Sequence, residues 1–163
     1  VTQVRPAQER DLDALAAFEV DIARISFPGE AVDDPQVHRR KLAKALEKDP
    51  AGMFVAVDAA DRPVGWLWMA VNQNFLTGNR YVNFRSLAVA DVPDRAAVGE
   101  ALLERGLAFG RDAGATSVVG KVHFGNQGMR VLYRKYGFEA AHLTMRLRLD
   151  PGDGPGDPGG GGR

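Results

Sequence analysis

The 163-residue sequence predicts a mixed α/β (α+β) fold built on one sheet, antiparallel in its N-terminal half and parallel further on. Two observations carry this. The apolar runs MFVAV (53–57) and VGWLWMAV (64–71) are separated only by the turn DAADRP, which makes them an antiparallel hairpin. The runs YVNFRSLAVA (81–90) and SVVGKVHF (117–124) are separated by a helical pattern, the crossover that a parallel pair requires. Helices are then expected on both faces of the sheet.

Each element follows in order. Val4 starts a short strand, and Asp11 opens a helix with Leu12, Leu15, Phe18 and Ile22 spaced for one face. SFPGEAVDDP (26–35) breaks that helix, and a second runs from Pro35, tolerated in a first turn, to Lys48. After the hairpin, NQNFLTGN (72–79) leads into the 81–90 strand. A helix over 99–113 sets Leu102, Gly106, Phe109 and Ala113 on one stripe, with Val98, Leu103 and Leu107 beside it. Gly114 is placed to end it. Asn126 can cap a further helix, GMRVLYRKY, which Gly137 can end. HLTMRLRL (142–149) reads as a last strand. The domain therefore spans 1–149. The tail 150–163, almost all Gly, Pro and Asp, has nothing to bury and is expected to be flexible.

Composition narrows the function. At 45% hydrophobic and 26% charged the chain matches an ordinary soluble domain, and no apolar run is long enough to span a membrane. Lys plus Arg equals Asp plus Glu, 21 each, so the basic footprint of a nucleic-acid binder is missing. The absence of cysteine excludes disulfides, thiolate catalysis and zinc–thiolate sites. No targeting segment is evident, so the cytoplasm is the expected location. Local charge is uneven: EAVDD (30–34) is acidic, while HRRKLAK (38–44) and RVLYRK (130–135) are basic. Such runs are most simply solvated helix faces.

Two stretches carry chemistry. SLAVADVPDRAAVGEALL is a strand, a short loop of small residues and a helix start. A helix start presents unpaired N–H groups and partial positive charge, which suits a diphosphate. The stretch lacks a P-loop Lys-Ser/Thr pair and a GxGxxG fingerprint, and taken alone it is better explained as a plain strand–helix connection with small residues for packing. VHFGNQGMRVLYRKYGF (122–138) is a strand, an Asn and a helix that ends in aromatic-Gly-Phe. Taken singly, Asn126 is explained as a helix cap and Tyr133 as a half-buried helix tyrosine.

Together, and in this order, these stretches resemble the GNAT superfamily of N-acetyltransferases. The resemblance covers residues 3–149 and includes VRPAQERDLDAL at the start and RPVGWLW (62–68) in the hairpin. It implies a GNAT fold that uses acetyl-CoA as cosubstrate, without a metal, and acetylates an amine, either a small molecule or a protein amine. It implies that backbone groups of Leu87, Ala88 and Val89 pair with the pantetheine arm. Amides of Arg95, Ala96, Ala97, Val98, Gly99 and Glu100 would hold the diphosphate, Asn126 would orient the cofactor or a water, and Tyr133 would protonate the departing thiolate as the catalytic acid. The family's diphosphate pattern is Gln or Arg, two residues, Gly, one residue, then Gly or Ala. This chain departs from it, with Asp94 at the first position and Ala97 at the first Gly, while Gly99 fits the last; Arg95 lies one residue late.

The base is left open. Many relatives use a Glu on the fourth or fifth strand; here those strands offer Tyr81, Asn83, Arg85, Lys121 and His123. His123, one of Glu19, Glu30 and Asp33, or a water chain remain as alternatives. Acidic residues 30–34, if they line the acceptor cleft, would favour a cationic substrate. Relatives commonly finish with two antiparallel strands, whereas residues 139–149 leave room for one. The open edge suggests a homodimer through the C-terminal strand. A rival reading is a non-catalytic module that senses acyl-CoA.

Overall fold

The computed structural model describes residues 2–123 and 126–150. β1 (Gln3–Pro6) leads through a 3-10 turn at Glu9–Asp11 into α1 (Leu12–Ser26) and α2 (Pro35–Lys48). β2 (Met53–Val57), β3 (Pro63–Gln73) and β4 (Arg80–Val89) follow, then α3 (Arg95–Asp112), β5 (Ser117–Gly120) and α4 (Gln127–Lys135). The strands lie in sequence order, β1-β2-β3-β4-β5. The first four are antiparallel, and β4 and β5 are parallel.

Alternation along the strands builds two cores. Met53, Val55, Val57, Trp66 and Trp68 face α1 and α2, together with Leu12, Leu15 and Leu42. Phe54, Ala56, Leu67, Met69, Val82 and Phe84 face α3, whose Val98, Leu102 and Leu103 are buried against them. β2, the MFVAV run, is buried on every residue because both its faces are covered. α3 sits unusually close to the sheet at Gly106, where a Cβ would stand 2.6 Å from Leu67 Cδ2 and Met69 Sδ. The Asp34 side chain caps α2 by accepting from the Gln36 N–H at 2.9 Å. Gly114 and Gly137, at φ 76° and 78°, close α3 and α4 in the left-handed conformation that favours glycine.

β4 carries a bulge. Trp68 pairs with Ser86 and Met69 pairs with Phe84, which leaves Arg85 as an extra residue. The bulge reverses the strand's phase. Val82 and Phe84 face α3 before it; Leu87 and Val89 pack against the same core after it.

Two expectations are corrected at the C-terminal end. β5 ends at Gly120 rather than running on through 121–123, and Phe124, the last residue expected in it, lies outside the described residues. HLTMRLRL (142–149) forms no strand; Leu143, Met145, Leu147 and Leu149 are all more than 80% exposed. A strand exists only where a neighbouring edge accepts its ladder. This segment is held instead by side chains: Arg148 donates to Glu30 at 2.9 Å, and Arg146 stands 3.9 Å from the same carboxylate. Of the expected tail, 150–163, all but Asp150 lies outside the described residues.

One polar cluster ties the N-terminal elements together. Arg5 of β1 grips Asp11, at the start of α1, through two hydrogen bonds of 2.8 and 2.9 Å, and its Nε donates to Asp61 in the β2–β3 turn at 3.0 Å. Asp11 is 2% exposed and also accepts from the Gln8 N–H at 2.8 Å. Burial pushes the Asp11 carboxyl up, but the bonds from Arg5 and Gln8 outweigh it and hold the group below the usual carboxylate range. A carboxyl depressed in the folded state stabilises the fold above its unfolded pKa, and that contribution is lost as pH falls through the folded value. Asp11→Asn is therefore expected to cost about 2 kcal/mol near neutral pH. Its loss of stability relative to the parent should shrink steadily below about pH 4. Thermal unfolding across pH checks this; a deficit independent of pH would contradict it.

Candidate active site

The site is a slot formed where β4 and β5 part. Their register runs from Tyr81 opposite Ser117 to Phe84 opposite Gly120 and stops there. β4 continues to Val89, still paired with β3 on its other side. From Arg85 to Val89 its second edge is therefore not covered by β5. Ala90 N–H donates to Val64 O across the β3 side at 2.8 Å. Backbone groups alternate between the two edges of a strand, so those of Leu87 and Val89 face the open edge and those of Ala88 face β3. Of the three residues expected along a pantetheine arm, two present backbone groups to the slot.

α3 begins beyond the end of β4, with Gly99 against it: a Cβ there would meet Val89 Cγ2 at an ordinary 3.7 Å. Of the six amides expected at a diphosphate, Arg95 N–H donates to Val92 O at 3.1 Å and Val98 N–H to Asp94 O at 3.0 Å. Gly99 and Glu100 lie far enough into the helix to bond within its own ladder. Ala96 and Ala97 are the two whose N–H groups remain open among the described residues. The Asp94 carboxylate makes no cap on α3; it accepts from Thr2 Oγ1 at 3.4 Å. The Glu100 side chain is ion-paired with Lys135 of α4, and Glu104, one turn on, accepts from the Tyr136 hydroxyl at 3.2 Å. These contacts dock the end of α4 on α3.

α4 delivers Tyr133 to the parting point. Its ring meets Phe84 edge-on, with centroids 5.8 Å apart, and stacks on Phe138 at 4.5 Å. Its hydroxyl lies directly over Gly120, where any Cβ would overlap it. The last paired residues of both strands, Phe84 and Gly120, thus form the seat of the phenol. Burial pushes the Tyr133 pKa up to about 12, so the group is protonated at neutral pH. Asn126 sits at the start of the same helix, where its Oδ1 accepts from the Met129 N–H at 3.1 Å, so its carbonyl oxygen serves as the cap. Its side-chain amide N–H groups are left for other partners.

The residues expected as bases are dispersed. His123 is exposed and lies past the end of β5. Glu30 is engaged by Arg146 and Arg148, and Asp33 by Arg24 at 3.0 Å. With Asp34 committed to its cap, three carboxylates of the acidic run 30–34 already have partners. Glu19 differs. It accepts from the buried Trp66 indole at 2.8 Å, and Trp66 pairs with Ala88 on β4. Glu19 therefore lies on the α1/α2 side of the sheet, opposite the Tyr133 side. Arg85, the extra residue of the bulge, lies beside the slot, and the sequence reading gave it no role. The signal for it is the switch of apolar positions from 82 and 84 to 87 and 89, which only a bulge accommodates.

No group of three or more His, Cys, Asp or Glu side chains that could hold a metal gathers among the described residues. No helix among them is long and apolar enough to cross a membrane.

Comparison with known proteins agrees with this architecture. A sequence comparison with curated proteins finds no match. The fold is shared with a Trypanosoma brucei acetyltransferase at 22% identity and TM-score 0.67, covering 91% of this chain and 100% of that one. It is shared with glucosamine-6-phosphate N-acetyltransferase from Arabidopsis thaliana at 13% identity and TM-score 0.65, covering 92% and 99%. A transcriptional regulator from Bacillus halodurans is similar at 16% identity and TM-score 0.73, covering 91% and 100%. At such identities these likenesses show the fold. Residues 17–138 match the acetyltransferase (GNAT) family, and the chain belongs to that family.

Proposed function

We propose that the protein moves an acetyl group from acetyl-CoA to a primary amine by direct attack of the amine on the thioester. The observation that carries this reading is the protonated Tyr133 hydroxyl seated over Gly120, where β4 and β5 part. The residues present suit acetyl-CoA. The open edge of β4 offers Leu87 and Val89 to a pantetheine arm as a neighbouring strand would. The Ala96 and Ala97 amides at the start of α3 offer donors and partial positive charge to a diphosphate. An N–H of the open edge can also polarise the thioester carbonyl.

Tyr133 fills the α3/α4 side of the slot, which leaves the α1/α2 side for the amine. A lysine-like amine has a pKa of about 10.4 and must lose a proton before it attacks. Glu19 is the carboxylate best set to take that proton, through water, because its tie to the Trp66 indole fixes it on the α1/α2 side of the sheet. As the carbon–sulfur bond breaks, the Tyr133 O–H donates to the sulfur and stabilises the departing thiolate as general acid. A cytoplasmic location is part of this proposal. The exposed alternation of Leu143, Met145, Leu147 and Leu149, together with the short edge strand β5, supports a homodimer through the C-terminal segment 142–149.

Tyr133→Phe removes one hydroxyl and keeps both ring contacts. Thiol release from acetyl-CoA across a panel of amines should fall about 100-fold in this variant, with acetyl-CoA affinity little changed. Unchanged turnover would remove Tyr133 from the mechanism. Saturable CoA binding by the parent with no turnover on any amine would instead favour an acyl-CoA sensor. For the assembly, light scattering across a range of concentrations should give a dimeric mass; a monomeric mass throughout would refute the dimer.

A further inference from the structure

The bulge in β4 places a cation that the transfer step does not need. Arg85 is the extra residue, next to the last pair formed with β5. Its guanidinium lies 4.3 Å from the centroid of the Trp68 ring, on the α1/α2 side of the sheet. Lys41 of α2 approaches the same ring, with its Nζ 5.7 Å from the centroid. Both cations are exposed, and neither is ion-paired or hydrogen-bonded among the described residues. Arg39 on the same helix, by contrast, is held by Asp13 at 2.7 Å. The basic run 38–44 thus contributes one unpaired charge directed at the sheet.

Both cations contact one indole, and neither has a counter-ion among the described residues. An anion within reach of both would supply that counter-ion, through charge-assisted hydrogen bonds that an arginine makes with either carboxylate or phosphate. Position connects this arrangement to the slot. Trp68 pairs with Ser86, one residue before Leu87, and Trp66 pairs with Ala88. The cations therefore stand on the side left open to the amine, a few ångströms along the strand from the slot. The carboxylates that would have favoured a cationic acceptor are themselves engaged: Glu30 by Arg146 and Arg148, and Asp33 by Arg24.

We propose that the acceptor amine carries an anionic group, a carboxylate or a phosphate, held between Arg85 and Lys41 over the Trp68 ring. The proposal rests on the reading of the slot as the acetyl-transfer site, so two measurements on the full chain separate them. In the first, inorganic phosphate is titrated into CoA-saturated protein and followed by NMR of the Arg85 Nε and Trp68 Nε1 resonances. Saturable shifts at these groups are expected, with affinity falling roughly tenfold in Arg85→Gln and in Lys41→Gln, where a charge-assisted bond is lost. Arg111→Gln, which removes a charge at the far end of α3, should leave the affinity unchanged. No binding, or equal binding in all the variants, would overturn the proposal. In the second, thiol release is compared for matched amines: an amino acid against its amide, and an amino sugar against its phosphate ester. A lower KM for the anionic member of one pair identifies carboxylate or phosphate, and that advantage should shrink roughly tenfold in Arg85→Gln. Turnover without preference for either anionic member overturns the proposal and leaves the transferase reading standing. Phosphate binding lost in both variants, with no amine acetylated, supports the anion site and counts against the transferase reading.

Discussion

The parting of β4 from β5 beyond the Phe84–Gly120 pair is the constraint on which the other features depend. A parallel pair is normally covered along its length, since an open edge leaves N–H and C=O groups without partners. Here β5 ends after four residues while β4 runs on to Val89, and the stretch from Arg85 to Val89 is left uncovered by β5. The same pair builds the seat of Tyr133. Phe84 meets its ring edge-on, and Gly120 has no side chain to collide with its hydroxyl. Glycine is thus required at 120 by the phenol above it.

The bulge at Arg85 is the second device, and it acts on both sides of the sheet. On the α3 side it restores the apolar phase, so that Leu87 and Val89 continue the core begun by Val82 and Phe84. On the α1/α2 side it directs a guanidinium onto Trp68. Without it, one face of β4 would carry Phe84, Ser86 and Ala88, and the core would lose Leu87 and Val89. Ser86 and the small Ala88 are tolerable on the opposite face because Trp66 and Trp68 stand beside them on β3. Packing demands and the polar surface beside the slot are therefore met by one inserted residue.

Much of this was legible in the sequence because local rules and tertiary demands agreed. The hairpin, the crossover helix, the closing glycines Gly114 and Gly137, and the Asn126 cap all rest on short-range chemistry. The C-terminal strand was misread for the opposite reason. HLTMRLRL has a strand's alternation, but alternation supplies no partner, and the nearest anchor is Glu30 in the α1–α2 connection. The acidic run was opaque for a similar reason: sequence shows Glu30, Asp33 and Asp34 as charges, while the fold commits each to a partner. At the diphosphate loop, the family resemblance implied six amides, but helix geometry leaves Ala96 and Ala97 open.

The central claim is that the open edge of β4 and the start of α3 together receive acetyl-CoA. Residue-resolved amide hydrogen exchange, with and without saturating acetyl-CoA, tests it most directly. Leu87, Val89, Ala96 and Ala97 should gain protection, while Ala88, already turned toward β3, should change little. Equal protection along β4, or protection confined to other elements, would contradict the account.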